Sequence, residues 1–267
     1  MLLTASTRFR GGRAYRQTQS TLNKLIMSSI SDNLQAVLAD LQAAAHAAGR
    51  DQAEIRLLAV SKTFGIEAIA EAVHAGQRCF GENYVQEALL KIQQAATLMP
   101  SQPLEWHFIG PIQSNKTRQI AAHFDWVHSV DRLKIAQRLS EQRPPGLPVL
   151  QVCLQVNISG EASKSGALPA ESCELACAIQ ALPNLCLRGL MAVPEASDDV
   201  VKQRQAFQAV RVLKDEIAAA LQTRFGTAPR FDTLSMGMSG DMHAAIAEGS
   251  TMVRIGSNIF GKRHYAV

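Results

Sequence analysis

Eight short apolar runs rich in strand-forming residues alternate with longer segments of helical spacing, and this rhythm limits what the chain can become. The strand-like runs fall at 55–61, 78–81, 106–109, 126–129, 150–158, 187–192, 233–236 and 252–255. Between them, 66–75, 84–96, 114–123, 132–142, 168–181, 198–224 and 241–249 repeat apolar side chains three and four residues apart, as amphipathic helices do. Strands separated by helices pair in parallel through right-handed crossovers. The closed form of such a series is a single (β/α)8 TIM-type barrel. An open doubly wound sheet is the rival, and eight strands in about 240 residues favour closure because barrels of this type need about 250.

The segment "SDNLQAVLADLQAAAHAAG" (31–49) adds an N-terminal helix, opened by Ser31 and Asp32 and stopped by Gly49. Little chain follows the last strand, so this helix is expected to cover the part of the barrel that a final helix would otherwise cover. No linker divides the sequence; "RPPGLPV" (143–149) is short enough for an ordinary connection. Residues 29–267 therefore read as one domain.

Residues 1–28 stand apart. The formal charge of +4 resides there, since Arg8, Arg10, Arg13, Arg16 and Lys24 all precede Asp32, the first acidic residue, and the remainder is close to neutral. A basic nucleic-acid face on the folded domain is thus not indicated. The leader fits a transit peptide or an upstream start, with Met27 opening the working chain, and the second reading is favoured. It is expected to be poorly ordered. No apolar run reaches the ~18 residues of a membrane span. Five cysteines, Cys79, Cys153, Cys173, Cys177 and Cys186, form no C-x-x-C pair and read as reduced thiols of a cytoplasmic protein.

In a barrel of this class the chemistry gathers where the strands end, on the face built by the loops that lead into helices. Nearly every polar cluster falls there. Lys62 follows strand one, "GENY" (81–84) strand two, "HFIGPIQSNK" (107–116) strand three and "NISGEASKSG" (157–166) strand five. "GMSGDMHAA" (237–245) follows strand seven and "IGSNIFG" (255–261) strand eight. Ser239, Gly240, Gly256 and Ser257 suit a phosphate site, because glycines let backbone N–H groups approach an anion and hydroxyls add donors. They also suit ordinary turns, with Asp241 as a helix cap.

Lys62 has two readings as well: a desolvated amine that attacks a carbonyl, or a strand-end lysine snorkelling to water. An amine beside a phosphate site points to pyridoxal 5′-phosphate held as a Schiff base. Arg254 interrupts the apolar run "TMVRIG" and needs a partner, either a pyridine nitrogen or a carboxylate such as Glu82. His107, His123, His128 and His243 show no metal-ligand spacing and read as structural. Cys173 and Cys177 share a helical face unsuited to a disulfide, and "SNKTR" (114–118) reads as a solvated face.

The ordered set "LLAVSKT", "FGENYVQEAL", "WHFIGPIQSNK", "NISGEASKSG", "RGLMAVP" and "LSMGMSGDMHAAIAEGSTMVRIGSNIFGKR" resembles the pyridoxal phosphate homeostasis protein family, relatives of the N-terminal barrel of alanine racemase. The resemblance spans about residues 30–265. It implies a barrel with pyridoxal 5′-phosphate on Lys62, phosphate contacts from Ser239, Gly256 and Ser257, Arg254 at the pyridine nitrogen, Asn83 near the cofactor and Met191 on the pocket wall. Ser257 replaces the usual threonine and keeps its hydroxyl. Gly240 stands where an acidic residue is common in the family.

The function implied is intracellular vitamin B6 homeostasis, with the cofactor carried and delivered to apo forms of pyridoxal phosphate enzymes by a monomer lacking substantial turnover. The alternative is a weak amino-acid racemase or other pyridoxal phosphate enzyme. Racemisation needs a base on each face of the substrate, and Lys62 serves only one. Tyr84 and Tyr265 are the candidates for the other. A third hypothesis, nucleic-acid binding through the leader, predicts salt-sensitive binding lost on deleting residues 1–26.

Overall fold

The computed structural model describes residues 12–161, 164–226 and 230–261. Strands β1 (Arg56–Val60), β2 (Cys79–Glu82), β3 (Glu105–Phe108), β4 (Trp126–Val130), β5 (Leu150–Val156), β6 (Leu185–Ala192), β7 (Thr233–Ser235) and β8 (Met252–Ile255) follow one another around a closed barrel. Every pairing is parallel, and β1 closes on β8 with Leu58 opposite Arg254. The helices are α1 (Gly12–Ala47), α2 (Ile66–His74), α3 (Val85–Leu98), α4 (Thr117–His123), α5 (Leu133–Gln142), α6 (Pro169–Gln180), α7 (Val200–Phe225), α8 (Met242–Ala247) and α9 (Ser257–Phe260). The expected barrel is the observed one.

The main core lies between strands and helices, where Phe80, Phe108, Phe124, Ile120, Leu139 and Phe207 are fully buried. Alternate strand residues turn the other way, toward the barrel axis. Along β3, Trp106 and Phe108 pack outward while Glu105 and His107 point inward, as does Ile109 just beyond the strand. At the middle of β5 and β6 the register slips by one residue, with Val152 opposite Leu187 and Cys153 opposite Gly189. Gly189 is required there: its φ is +152° and a Cβ would lie 1.8 Å from the Thr233 carbonyl oxygen.

Helix α1 packs against α2, α8 and α9, as expected for a cover over the end of the series. Its Leu34 and Leu41 are buried, the backbone N–H of Ile30 donates to Glu71 Oε1 at 3.2 Å, and beyond it Arg50 donates to the carbonyls of Ile246 and Ser250. The helix begins ahead of Ser31 and continues through residues 12–28 of the basic leader. Residues 1–11, with Arg8 and Arg10, lie outside the described residues, as does Tyr265. Helix α9, a single turn after β8, is an element that the sequence pattern did not mark.

Candidate functional site

At the ends of the strands a cleft of about 730 Å³ opens between the loops. Lys62, Asn83, Ser239, Gly240, Arg254, Gly256 and Ser257 all line it, joined by the apolar Val60, Ile109 and Val193. Residues scattered over nearly 200 positions thus meet around one volume. Met191 is not on this lining. It is 2% exposed, pairs in register with Ser235 and packs against Trp126 and Cys153 inside the barrel.

Lys62 sits on a turn closed by the Phe64 N–H donating to the Ser61 carbonyl at 3.1 Å. Thr63, next in the turn, has a φ of +68°, which is unfavourable for a β-branched residue. Its N–H is held at 2.6 Å by Glu87 Oε1. Beneath the turn, buried Lys91 donates to the Ser61 carbonyl (2.8 Å), Glu82 Oε1 (2.8 Å) and Glu87 Oε1 (2.5 Å), and the Ser61 hydroxyl donates to Glu82 at 2.6 Å. Burial pushes the Glu82 carboxyl up, and Lys91 opposes that shift. Strand β2 and helix α3 therefore converge to hold the backbone that presents Lys62.

Asn83 follows β2 and is positioned by a close backbone approach: a Cβ on Gly110 would lie 2.2 Å from the Asn83 carbonyl oxygen. The Ser129 hydroxyl fixes Gly110 in turn by donating to its carbonyl at 2.5 Å. The side-chain oxygen of Asn83 is buried with no hydrogen-bond partner among the described residues. An acceptor left in that state at the edge of a cleft fits a bound group that donates to it.

Arg254 is buried, and its guanidinium donates to the Ser235 carbonyl (2.5 Å), the Ser235 hydroxyl (2.9 Å) and the Ala192 carbonyl (3.0 Å). The ion pair with Glu82 considered from the sequence does not form; Glu82 pairs with Lys91 instead. Burial pulls the Arg254 pKa down to about 10, with Asp241 and Cys153 opposing, so the group keeps its charge at neutral pH. Asp241 does not cap α8: its carboxylate turns back to accept the Met238 N–H at 2.5 Å, within the loop that carries Ser239. Ser239 and Ser257 are exposed on the cleft wall.

The donor set fits pyridoxal 5′-phosphate, with an amine, a buried cation, two hydroxyls on glycine-containing loops and one orphaned acceptor around a single cleft. Tyr84 is not on the cleft lining: it is 55% exposed and lines a neighbouring depression with Gln86, Pro111 and Lys116, which shares Asn83 with the cleft. The four histidines weighed for metal binding are all partnered: His107 and His128 with each other, His123 with the Gln119 carbonyl, and His243 with Asp40. Among the described residues, Cys79, Glu105 and His107 bring donor atoms within 4.8 Å of one another, but Arg56 donates to both Cys79 Sγ (3.0 Å) and Glu105 (2.6 Å) and occupies the cation's place. The sequence reading missed Ser61, Glu87, Lys91 and Ser235, since on their own strands and helices they look like ordinary polar positions.

Residues 33–264 match the family described as "Alanine racemase, N-terminal domain", and the chain belongs to it. Solved alanine racemases share the fold: that of Corynebacterium glutamicum superposes with a TM-score of 0.61 at 16% identity, over 89% of this chain and 62% of that one. Within that class, the chain is a member of the pyridoxal phosphate homeostasis protein family. The protein of that name from Pseudomonas aeruginosa is 59% identical over 239 residues, covering 90% of this chain and 98% of its own. The one from Escherichia coli is 55% identical over 240 residues, covering 90% and 99%. PipY of Synechococcus elongatus, solved with PLP bound, has a TM-score of 0.74 and 34% identity over 87% of this chain and 100% of that one.

Proposed function

We propose that this chain binds pyridoxal 5′-phosphate on Lys62 and serves vitamin B6 homeostasis, without substantial catalytic turnover. The cofactor supplies an aldehyde that a neutral primary amine captures and a phosphate that backbone N–H groups and hydroxyls bind. Lys62 furnishes the amine from a turn that the Lys91–Glu82–Glu87 cluster holds in place. Ser239 and Ser257, with the backbone at Gly256, furnish donors for the anion. Arg254 orients the ring edge as a donor and keeps its proton. Asn83 and the apolar wall of Val60, Ile109 and Val193 fill the remainder.

One observation carries the non-catalytic part of this reading. Among the described residues lining the cleft, Lys62 and Arg254 are the only side chains with a basic or acidic group, and Arg254 stays protonated. A racemase needs a second base on the opposite face; of the two candidates, Tyr84 is not on the lining and Tyr265 lies outside the described residues. Names of the relatives from P. aeruginosa and E. coli support the same reading, as does the PLP-bound PipY structure. We further read the protein as a cytoplasmic monomer that hands the cofactor to apo-enzymes, its five cysteines all unpaired. The barrel of residues 29–267 does this work in our reading, and the basic leader takes no part.

Titration with pyridoxal 5′-phosphate should give stoichiometric binding by the wild type and a loss of about tenfold or more in affinity for Lys62→Ala. Deuterium uptake at the α-carbon of alanine or serine should stay at background. Uptake that depends on Lys62 would establish the alternative, a weak racemase or related enzyme.

A further inference from the structure

The barrel axis carries a continuous line of buried polar side chains. Arg254 Nη1 meets the Ser235 hydroxyl at 2.9 Å, Ser235 meets His128 Nδ1 at 2.8 Å, and His128 Nε2 meets His107 Nδ1 at 2.9 Å. His107 Nε2 then reaches Glu105 Oε1 at 2.6 Å, where Arg56 also donates at 2.6 Å. Ser235, His128 and His107 are each fully buried. Trp126 stacks on His107, with ring centroids 5.4 Å apart and planes 12° from parallel, and fixes that ring.

The direction of every bond follows from its end. Burial would raise the Glu105 carboxyl, but His107 and Arg56 outweigh it and bring it down to about 2, so the group is ionised and only accepts. His107 Nε2 must then carry the proton. Burial keeps both imidazoles neutral, so His107 Nδ1 accepts, His128 Nε2 donates and His128 Nδ1 accepts. The Ser235 hydroxyl therefore donates to His128, leaving its lone pairs for Arg254. Hydrogen bonds aligned head to tail polarise one another.

We infer that Ser235, His128 and His107 are positioning residues for Arg254: a one-way hydrogen-bond chain, anchored on Glu105 at the opposite mouth of the barrel, fixes the guanidinium that faces the cleft. The step from a fixed Arg254 to the cofactor rests on the proposed function; the chain itself does not. Because Arg254 keeps its proton, the line orients and does not conduct.

Two measurements test this on the full-length protein. In cofactor-free, 15N-labelled protein, assigned with Arg254→Gln, solvent exchange at the Arg254 side-chain N–H should be slow and should rise roughly tenfold in Ser235→Ala and in His128→Leu. Unchanged exchange in a folded Ser235→Ala, the smaller of the two changes, overturns the inference whatever the cofactor does. With pyridoxal 5′-phosphate, Ser235→Ala should weaken binding roughly three- to tenfold in the wild-type background and less than about twofold beside Arg254→Gln. Equal factors in both backgrounds would mean that Ser235 acts on general structure and would contradict positioning. If the wild type takes up no cofactor, the proposed function fails and the exchange result alone decides the chain.

Discussion

A buried neutral histidine makes a barrel sensitive to acid. His128 is desolvated and flanked by His107, Arg254 and Arg56, all of which hold its pKa well below the ordinary 6.5. Below about pH 6.5 the unfolded chain gains a proton at this position that the native chain refuses, so stability falls with pH from there. Glu105 acts in a lower window. Its native pKa of about 2 lies below the ordinary 4.5, so its contribution is complete above 4.5 and is lost as pH drops from 4.5 through 2. Melting temperature should therefore fall between pH 7 and 5, less steeply in His128→Leu, while Glu105→Gln should flatten only the lower window. A circular-dichroism series over pH checks both, and parallel curves for all three proteins would contradict the assignment.

The turn after β1 is held less by its own residues than by α3. Lys91 and Glu87 lie one helical turn apart on α3, and together with Glu82 of β2 they hold the Thr63 N–H and the Ser61 carbonyl. Replacing Lys91 by methionine leaves Glu82 as a buried carboxylate without its partner, a change that costs about 3–5 kcal/mol. Urea unfolding of Lys91→Met should show that loss; a loss under about 1 kcal/mol, the scale of an exposed pair, would show that the cluster does not carry the turn. None of this was legible beforehand. The helical stripe of 84–96 identifies α3, but Lys91 within it reads as a solvent-side lysine until the barrel closes over it. Helix α9 escaped for a related reason, since one turn is too short to show a period.

Across the whole molecule, order and closure were readable because they depend on repetition. Each βα unit announces itself through apolar runs and amphipathic stripes, and the closed parallel barrel follows from their number and length. The cleft was readable to the extent that residues lie at strand ends, where Lys62, Ser239, Gly256 and Ser257 stand. The axial chain was not, because Glu105, His128, Ser235 and Arg254 meet only after strands far apart in sequence are rolled into one cylinder. Met191 shows the same limit: its strand was assigned correctly, yet the slip between β5 and β6 accompanies a side chain packed on Trp126 and Cys153.

Lys62 is the residue we propose to hold the cofactor. Borohydride reduction of full-length protein incubated with pyridoxal 5′-phosphate, followed by peptide mass mapping, tests it directly. The reduced pyridoxyl group is expected on the peptide carrying Lys62, and it should disappear from folded Lys62→Ala. A label absent from that peptide in the wild type, or spread equally over surface lysines, would contradict it.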